Sequence, residues 1–308
     1  AFVSTDATDE EAQAIDSRLK AQLAPLGALS SRFDAWVAAL GPDALTARSS
    51  VAADHAWPVQ RAAESARHLM TEDQENLYSE LRVTGSLAWN RLWADVTSQL
   101  RTAVTGSDGT VEELPITVVR AMASAAERDR RRAAYDAELA GYRSVEIPLA
   151  AAMYAIKGET IAVNRRRSWE DALAPNLFSN NVERATLDAM QEAVVASFPD
   201  FRRYLQAKAS LFGDPQLAWF DLFAPVPGTV TARTWEEATA SVLSNFGAFS
   251  PSLRGLAERA FDERWIDAAP RADKSGGAFC MGVRDEESRI LMNFDGTLDG
   301  VQTLAHEL

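Results

Sequence analysis

Four times along this chain a Ser or Thr stands three positions ahead of a Glu or Gln, just before a helix-periodic run. The pairs are Thr8 with Glu11, Thr71 with Gln74, Ser124 with Glu127, and Thr234 with Glu237. In such a pair the hydroxyl accepts from a free backbone N–H of the first turn, and the side chain three positions on reaches back to the cap residue. The runs that follow keep the helical period. In VERATLDAMQEAVVASF, for example, Leu187, Met190 and Val194 fall at i, i+3 and i+7, one face of a helix. The expected fold class is therefore mainly α. Residues 1–105 read as an N-terminal helical lobe, with turns marked by Ala24-Pro25, Gly41-Pro42 and Trp57-Pro58. TGSDGT, at 105–110, is the clearest break and the expected boundary with a second part, 106–308.

The pattern changes late in the chain. QLAWFDLFAPVPG, residues 216–228, is aromatic and non-periodic, and reads as a buried extended segment or short strand. GAFCMGV and RILMNF are short and apolar, and RDEES joins them, which predicts a β-hairpin with a five-residue polar loop. Asp295-Gly296-Thr297 is a turn, and Thr297 is a good N-cap for a final helix. A small sheet thus feeds directly into the helix that carries His306.

Composition narrows the function. A chain of 308 residues with 47% hydrophobic and 24% charged residues is ordinary for a globular protein with one large core and a smaller one, or two lobes. The net charge of −13 argues against nucleic acid or an anionic membrane as partner. IPLAAAMYAI, the most apolar stretch, has about half the roughly 20 residues a bilayer span requires. AFVSTDATDEE has neither the basic nor the apolar region of a signal peptide, and it opens without Met, so part of the natural N-terminus is expected to be missing. The one cysteine, Cys280, rules out an internal disulfide and fits a reducing, cytoplasmic setting. It reads as a small half-buried apolar residue. The Trp residues, among them Trp57, Trp89, Trp93, Trp169 and Trp219, read as core and lobe-packing groups, with the lining of a channel left open for some of them. The run ERDRRR, 127–132, reads as a solvated helix face.

The chemistry concentrates in VQTLAHEL, residues 301–308. At about 100° per residue, Leu298, Val301, Leu304, Ala305 and Leu308 form one side of the helix and His306 the other. His306-Glu307 is the opening of the zinc-peptidase signature H-E-x-x-H, whose second His would lie two positions past Leu308. Two histidines one turn apart can reach one metal ion. On those few residues alone, a solvated surface pair is the ordinary reading; the hairpin–turn–helix order ahead of them favours the zinc site.

KSGGAFCMGVRDEESRILMNFDGTLDGVQTLAHEL resembles the segment entering the zinc helix of the oligoendopeptidase F family, relatives of thimet oligopeptidase. The matching motifs are Gly277-Ala278-Phe279, Leu291-Met292-Asn293, Asp295-Gly296-Thr297 and Thr303 to Leu308, in that order. The resemblance is sharp over 274–308 and weaker upstream, in SAAERDRRRAAYDAEL and AWFDLFAPV. It implies a helical zincin-type peptidase with a small β-sheet beside the zinc helix, in which 106–308 is the first part of the catalytic domain. It implies one zinc ion, with His306 as the first ligand and the remaining ligands beyond Leu308. Glu307 is then the general base, and Gly277, Ala278 and Phe279 form a strand that pairs with the backbone of an oligopeptide substrate. The family's zinc helix lies mid-chain, so the 308 residues are expected to be an inactive fragment completed by the missing C-terminal part of the same protein.

Two rival readings remain. Another helical zincin, such as a metallo-carboxypeptidase, would need a carboxylate-binding Arg or Lys in its cleft. A non-enzymatic helical binding protein would carry His306 and Glu307 as plain surface. Gly276-Gly277 likewise suits either close approach of a substrate backbone or a flexible lead-in to the hairpin.

Overall fold

The computed structural model describes residues 2–226 and 232–308. Its helices, in chain order, begin with α1 (Phe2–Thr5), α2 (Glu10–Leu40), α3 (Pro42–Arg48), α4 (Ser50–Asp54) and α5 (Ala56–Ser65). They continue with α6 (Glu72–Thr84), α7 (Ser86–Ser98), α8 (Ile116–Ala121), α9 (Arg128–Ser144) and α10 (Glu146–Arg166). The last are α11 (Ala174–Ser179), α12 (Arg184–Leu211), α13 (Trp235–Phe249), α14 (Pro251–Asp262) and α15 (Leu298–Glu307). The strands are β1 (Arg101–Thr105), β2 (Val111–Pro115), β3 (Ile266–Asp267), β4 (Phe279–Arg284) and β5 (Glu287–Leu291). The molecule is mainly helical with two small sheets, as its capping and periodicity led us to expect.

Two of the four expected capping boxes form, at Thr71/Gln74 and Thr234/Glu237. At α2 the Thr8 hydroxyl turns back to Asp6, and Asp9 instead accepts from the N–H of Ala12. At α9 the residue before the helix is Glu127, whose side chain makes no capping bond. Pro42 opens α3 and Pro58 sits in the first turn of α5, where a missing N–H costs nothing. Pro25 does not mark a turn: it lies inside the 31-residue helix α2, whose length outlasts one lost hydrogen bond.

The chain folds into two compact units. One comprises 14–93 and 148–196 and is helical. A small core of Val37, Val59 and Ala62 holds it, with Leu45 and Ala63 packed alongside. Beside Trp169 the His68 ring is stacked at 3.5 Å, and Glu75 takes two hydrogen bonds from Arg167.

The other unit comprises 1–13, 94–147 and 197–308. The β1–β2 hairpin turns through Gly106–Thr110 and shares a core of Val104, Val119, Ala134 and Ala137 with α8 and α9. A second core gathers Ala238 and Val242 of α13, Met292, and Val301 and Leu304 of α15. Over it lies a three-stranded sheet in the order β3-β5-β4, with β4 antiparallel to β5 at one edge and β3 parallel at the other. The β4–β5 connection is tighter than the five-residue loop read from RDEES: Arg284 pairs with Glu287, leaving Asp285 and Glu286, the latter at φ 55. Gly296 closes the turn before α15 at φ 78, where a Cβ would stand 3.1 Å from the Arg233 carbonyl oxygen, so only glycine fits.

Two readings fail in this unit. Residues 219–221 form a 3-10 turn rather than a strand, and Trp219 and Phe223 are exposed. Pro227 and Gly228, at the end of that stretch, lie outside the described residues. The ERDRRR face is not simply solvated: Arg131 is 1% exposed, and its guanidinium meets the fully enclosed Asp221 at 2.7 Å. Two residues of the charged run, Arg128 and Arg131, are claimed by a buried acid some ninety positions away, which no local pattern announces.

Candidate active site

Helix α15 begins where Thr297 accepts the N–H of Gly300 at 3.0 Å, the expected cap. Its apolar side is anchored by Val301 and Leu304, with Ala305 and Leu308 packed against the same core, while Leu298 is exposed. His306 is exposed, on the side away from that core, and makes no hydrogen bond or ion pair among the described residues. Glu307 is half-buried and lines a cavity of about 550 Å³ together with Cys280, Trp265, Arg259 and Glu287. Cys280 itself is exposed, not half-buried, because β4 is the sheet's outer strand.

Strand β4 starts at Phe279, paired with Leu291. Just ahead of it Gly277 is exposed at φ +86, and Ala278 packs on the core that also receives Ala305, the neighbour of His306. The candidate backbone strand and the candidate metal helix are thus seated on one core. Gly276, Gly277 and Ala278 also share the wall of a second cavity, about 580 Å³, with Asp299, Gly300 and Thr303 of α15. At about 100° per residue, Asp299, Thr303 and His306 follow one another along one side of the helix. Trp219 and Phe223 line the same cavity, so they are exposed into a concave wall; Trp219 is thus one of the tryptophans that lines a channel rather than packing a core. Across that cavity Arg120 pairs with Glu138 at 3.3 Å, and its Nη1 lies 3.8 Å from where a Cβ on Gly276 would stand.

Two polar residues to which sequence reasoning assigned no role hold this region. Lys274 is 0% exposed, and its ammonium donates to the carbonyls of Asp267, Ala269 and Met292 and to Asp267 Oδ1, at 2.6–3.0 Å. Burial pulls its pKa below the ordinary lysine value, against the attraction of Asp267. Burial works to raise Asp267, but the hydrogen bonds of Arg271 and Lys274 prevail and hold its carboxyl below the ordinary range. Asn293 donates both hydrogens of Nδ2, to the carbonyls of Ser275 at 3.1 Å and Gly277 at 3.0 Å. Lys274 opens the segment that carries the resemblance and Asn293 ends the strand read from RILMNF, but neither pattern says what a side chain far from it in sequence will accept, so nothing local pointed to either role.

The donor chemistry suits zinc as far as it goes. An exposed imidazole with no competing partner stands next to a carboxylate, whereas a catalytic zinc takes three protein ligands. Among the described residues no three His, Cys, Asp or Glu side chains converge on a metal position. His55 and His68 belong to the other unit; their Nδ1 atoms meet the carbonyls of Val51 and Arg167. No helix among the described residues is long and apolar enough to cross a membrane.

Residues 252–308 match the family model Peptidase family M3. An oligoendopeptidase F homolog of Lactococcus lactis subsp. lactis is 26% identical over 182 residues, covering 59% of this chain and 30% of the relative. The group B oligopeptidase PepB of Streptococcus agalactiae is 25% identical, with the same two coverages. The chain therefore spans about a third of the length of the relatives it matches. Among solved structures, PZ peptidase A with an inhibitor superimposes with a TM-score of 0.78 at 13% identity, over 99% of this chain and 53% of that one. A Bacillus anthracis structure assigned as an oligoendopeptidase F gives 0.79 at 16% identity, over 99% of this chain and 55% of the other. At such identities these likenesses speak for the fold.

Proposed function

We propose that the chain belongs to the oligoendopeptidase F family of peptidases, as the matching family model and relatives support, and the function proceeds from that premise. The chain is read as part of a zinc-dependent endopeptidase that hydrolyses peptide bonds in oligopeptides, acting in the cytoplasm. The observation that carries this reading is the seating of the β4 lead-in and of α15 on one core, within the segment that matches the family model.

In this reading His306 holds the metal, which when bound supplies Lewis acidity and a water of lowered pKa. The Glu307 carboxylate takes a proton from the attacking water and returns it to the leaving amine. Gly277, Ala278 and Phe279, at the open edge of the sheet, receive the substrate backbone as an added strand. Pairing of that kind reads the main chain, which suits an enzyme acting on many peptides. Because His306 is one of three ligands required, and the chain spans 30% of its relatives' length, the remaining ligands are assigned to polypeptide outside these 308 residues. The 308 residues alone are then expected to be inactive.

The test is Glu307→Gln in the full-length protein. Zinc content should stay at the wild-type level while kcat falls by about 10²–10⁴-fold or more, as expected for loss of a general base. Near-normal cleavage by this variant would refute the assignment.

A further inference from the structure

We propose that Asn293 and Lys274 form a reciprocal side-chain clip that sets the conformation of residues 275–278, and that Asn293 is thereby a positioning residue for substrate binding. This rests on the reading of Gly277–Phe279 as the strand that receives the peptide.

The backbone ladder between β4 and β5 ends at Phe279 and Leu291. In a plain hairpin the residues before Phe279 would go on pairing with Met292 and those after it. Here the N–H groups of Met292 and Phe294 turn the other way, to the carbonyls of Asp267 and Ala268, at 3.0 and 2.8 Å. The Met292 carbonyl is taken by the Lys274 ammonium at 2.6 Å. What ties 275–277 to 293 is a carboxamide: one nitrogen gives its two hydrogens to the carbonyls of Ser275 and Gly277. The two links cross, from 274 to 292 and from 293 back to 275 and 277.

The orientation of the amide is decided by its surroundings. Turned over, Asn293 would set its oxygen against two carbonyl oxygens. In the orientation adopted, Oδ1 is buried with no hydrogen-bond partner. The position therefore uses the N–H pair and leaves the acceptor unmet, which is a costly choice unless the two carbonyls need to be held. Holding them fixes the backbone around Gly277, at φ +86, where a Cβ would touch nothing. The conformation is thus imposed by the clip and not by crowding. Gly276, Gly277 and Asn293 all face the larger cavity beside α15, so the clipped segment is also cavity wall.

Asn293→Asp keeps the shape and removes both donors; Asn293→Gln keeps the donors on a longer stem. Both are made in the full-length protein, since Lys274→Met would strip the carbonyls of Ala269 and Met292 of their donor and take a buried cation from Asp267, which endangers folding. In Asn293→Asp, amides 275–280 should exchange hydrogen faster while the rest of the protein is unchanged. KM should rise at least about tenfold, to a similar degree for peptides of different side chains, with kcat within about threefold, because strand pairing is made in ground and transition states alike. Asn293→Gln should recover part of the lost KM. Unchanged exchange, faster exchange with wild-type KM, or a fall in kcat alone would each overturn the proposal. If the wild-type protein cleaves no peptide, the peptidase reading falls and the substrate role of the clip with it, while the exchange result still decides the clip.

Discussion

Asp221 is fully enclosed, and its carboxylate is shared between Arg128 and Arg131 at 2.7–2.9 Å. Arg131 also donates to the carbonyls of Ala125 and Ala126, and Lys208 donates to that of Leu222. The turn at 219–222, which carries Trp219 into the larger cavity, is therefore pinned by cations, with the Phe220 ring against Tyr135 beside them. Removing one partner of such a pair strands a buried charge, at a cost of about 3–5 kcal/mol. Asp221→Ala should lose stability on that scale in urea unfolding, whereas replacing Asp221 and Arg131 together with Leu and Met should lose markedly less. Equal losses would show that the ion pair contributes nothing beyond its volume.

At the scale of elements, β4 and α15 are joined through β5 and one glycine turn, and each end of that path is testable. Thr297→Ala removes the cap of α15, and about 0.5–2 kcal/mol of stability should go with it, measured by thermal unfolding. Ala278→Pro removes an N–H from the lead-in to the edge strand. In the full-length protein it should impair cleavage of all peptides to a similar degree, in line with main-chain pairing. Damage confined to peptides with one kind of side chain would replace the backbone strand with a side-chain pocket.

Across the whole molecule, each unit has its own acid-sensitive ion pair. Burial acts to raise Glu75, but the hydrogen bonds of Arg167 and of the Met70 N–H bring it below its ordinary value of 4.5. Asp267, in the other unit, is likewise held below 3.8. A carboxyl depressed in the fold stabilises it above the unfolded pKa, and that contribution is lost as pH falls through the folded pKa. Asp34 works in the opposite sense, since burial raises its carboxyl against the hydrogen bond of Ser65. Tm should therefore be steady above about pH 5 and fall progressively below pH 4, by linkage. Glu75→Gln should lower Tm at pH 7 and flatten the acid fall; a Tm that fell as steeply with acid in the variant would contradict this role for Glu75.

Local pattern by itself determined the helical class, the capping boxes at Thr71 and Thr234, the β4–β5 hairpin, the Asp295–Thr297 turn and the cap at Thr297. These depend on contacts within a few residues along the chain, so spacing and residue type are enough to read them. The two-sided character of α15, with His306 opposite Val301 and Leu304, was legible for the same reason. Only the tertiary structure decided which polar residues go inside. Arg131, Asp221 and Glu75 carry charges that belong on a surface until a partner some ninety residues along the chain neutralises them, and Lys274 is buried only because the fold brings the Met292 carbonyl to it beside its near neighbour Asp267; neither is visible to periodicity. Tertiary packing likewise placed Trp219 and Phe223 on a cavity wall, left Cys280 on an outer strand, and turned Asn293 toward Ser275 and Gly277. In each case the deciding contact joins segments well separated in sequence or depends on which strand ends at the sheet edge, and neither is encoded in a local pattern.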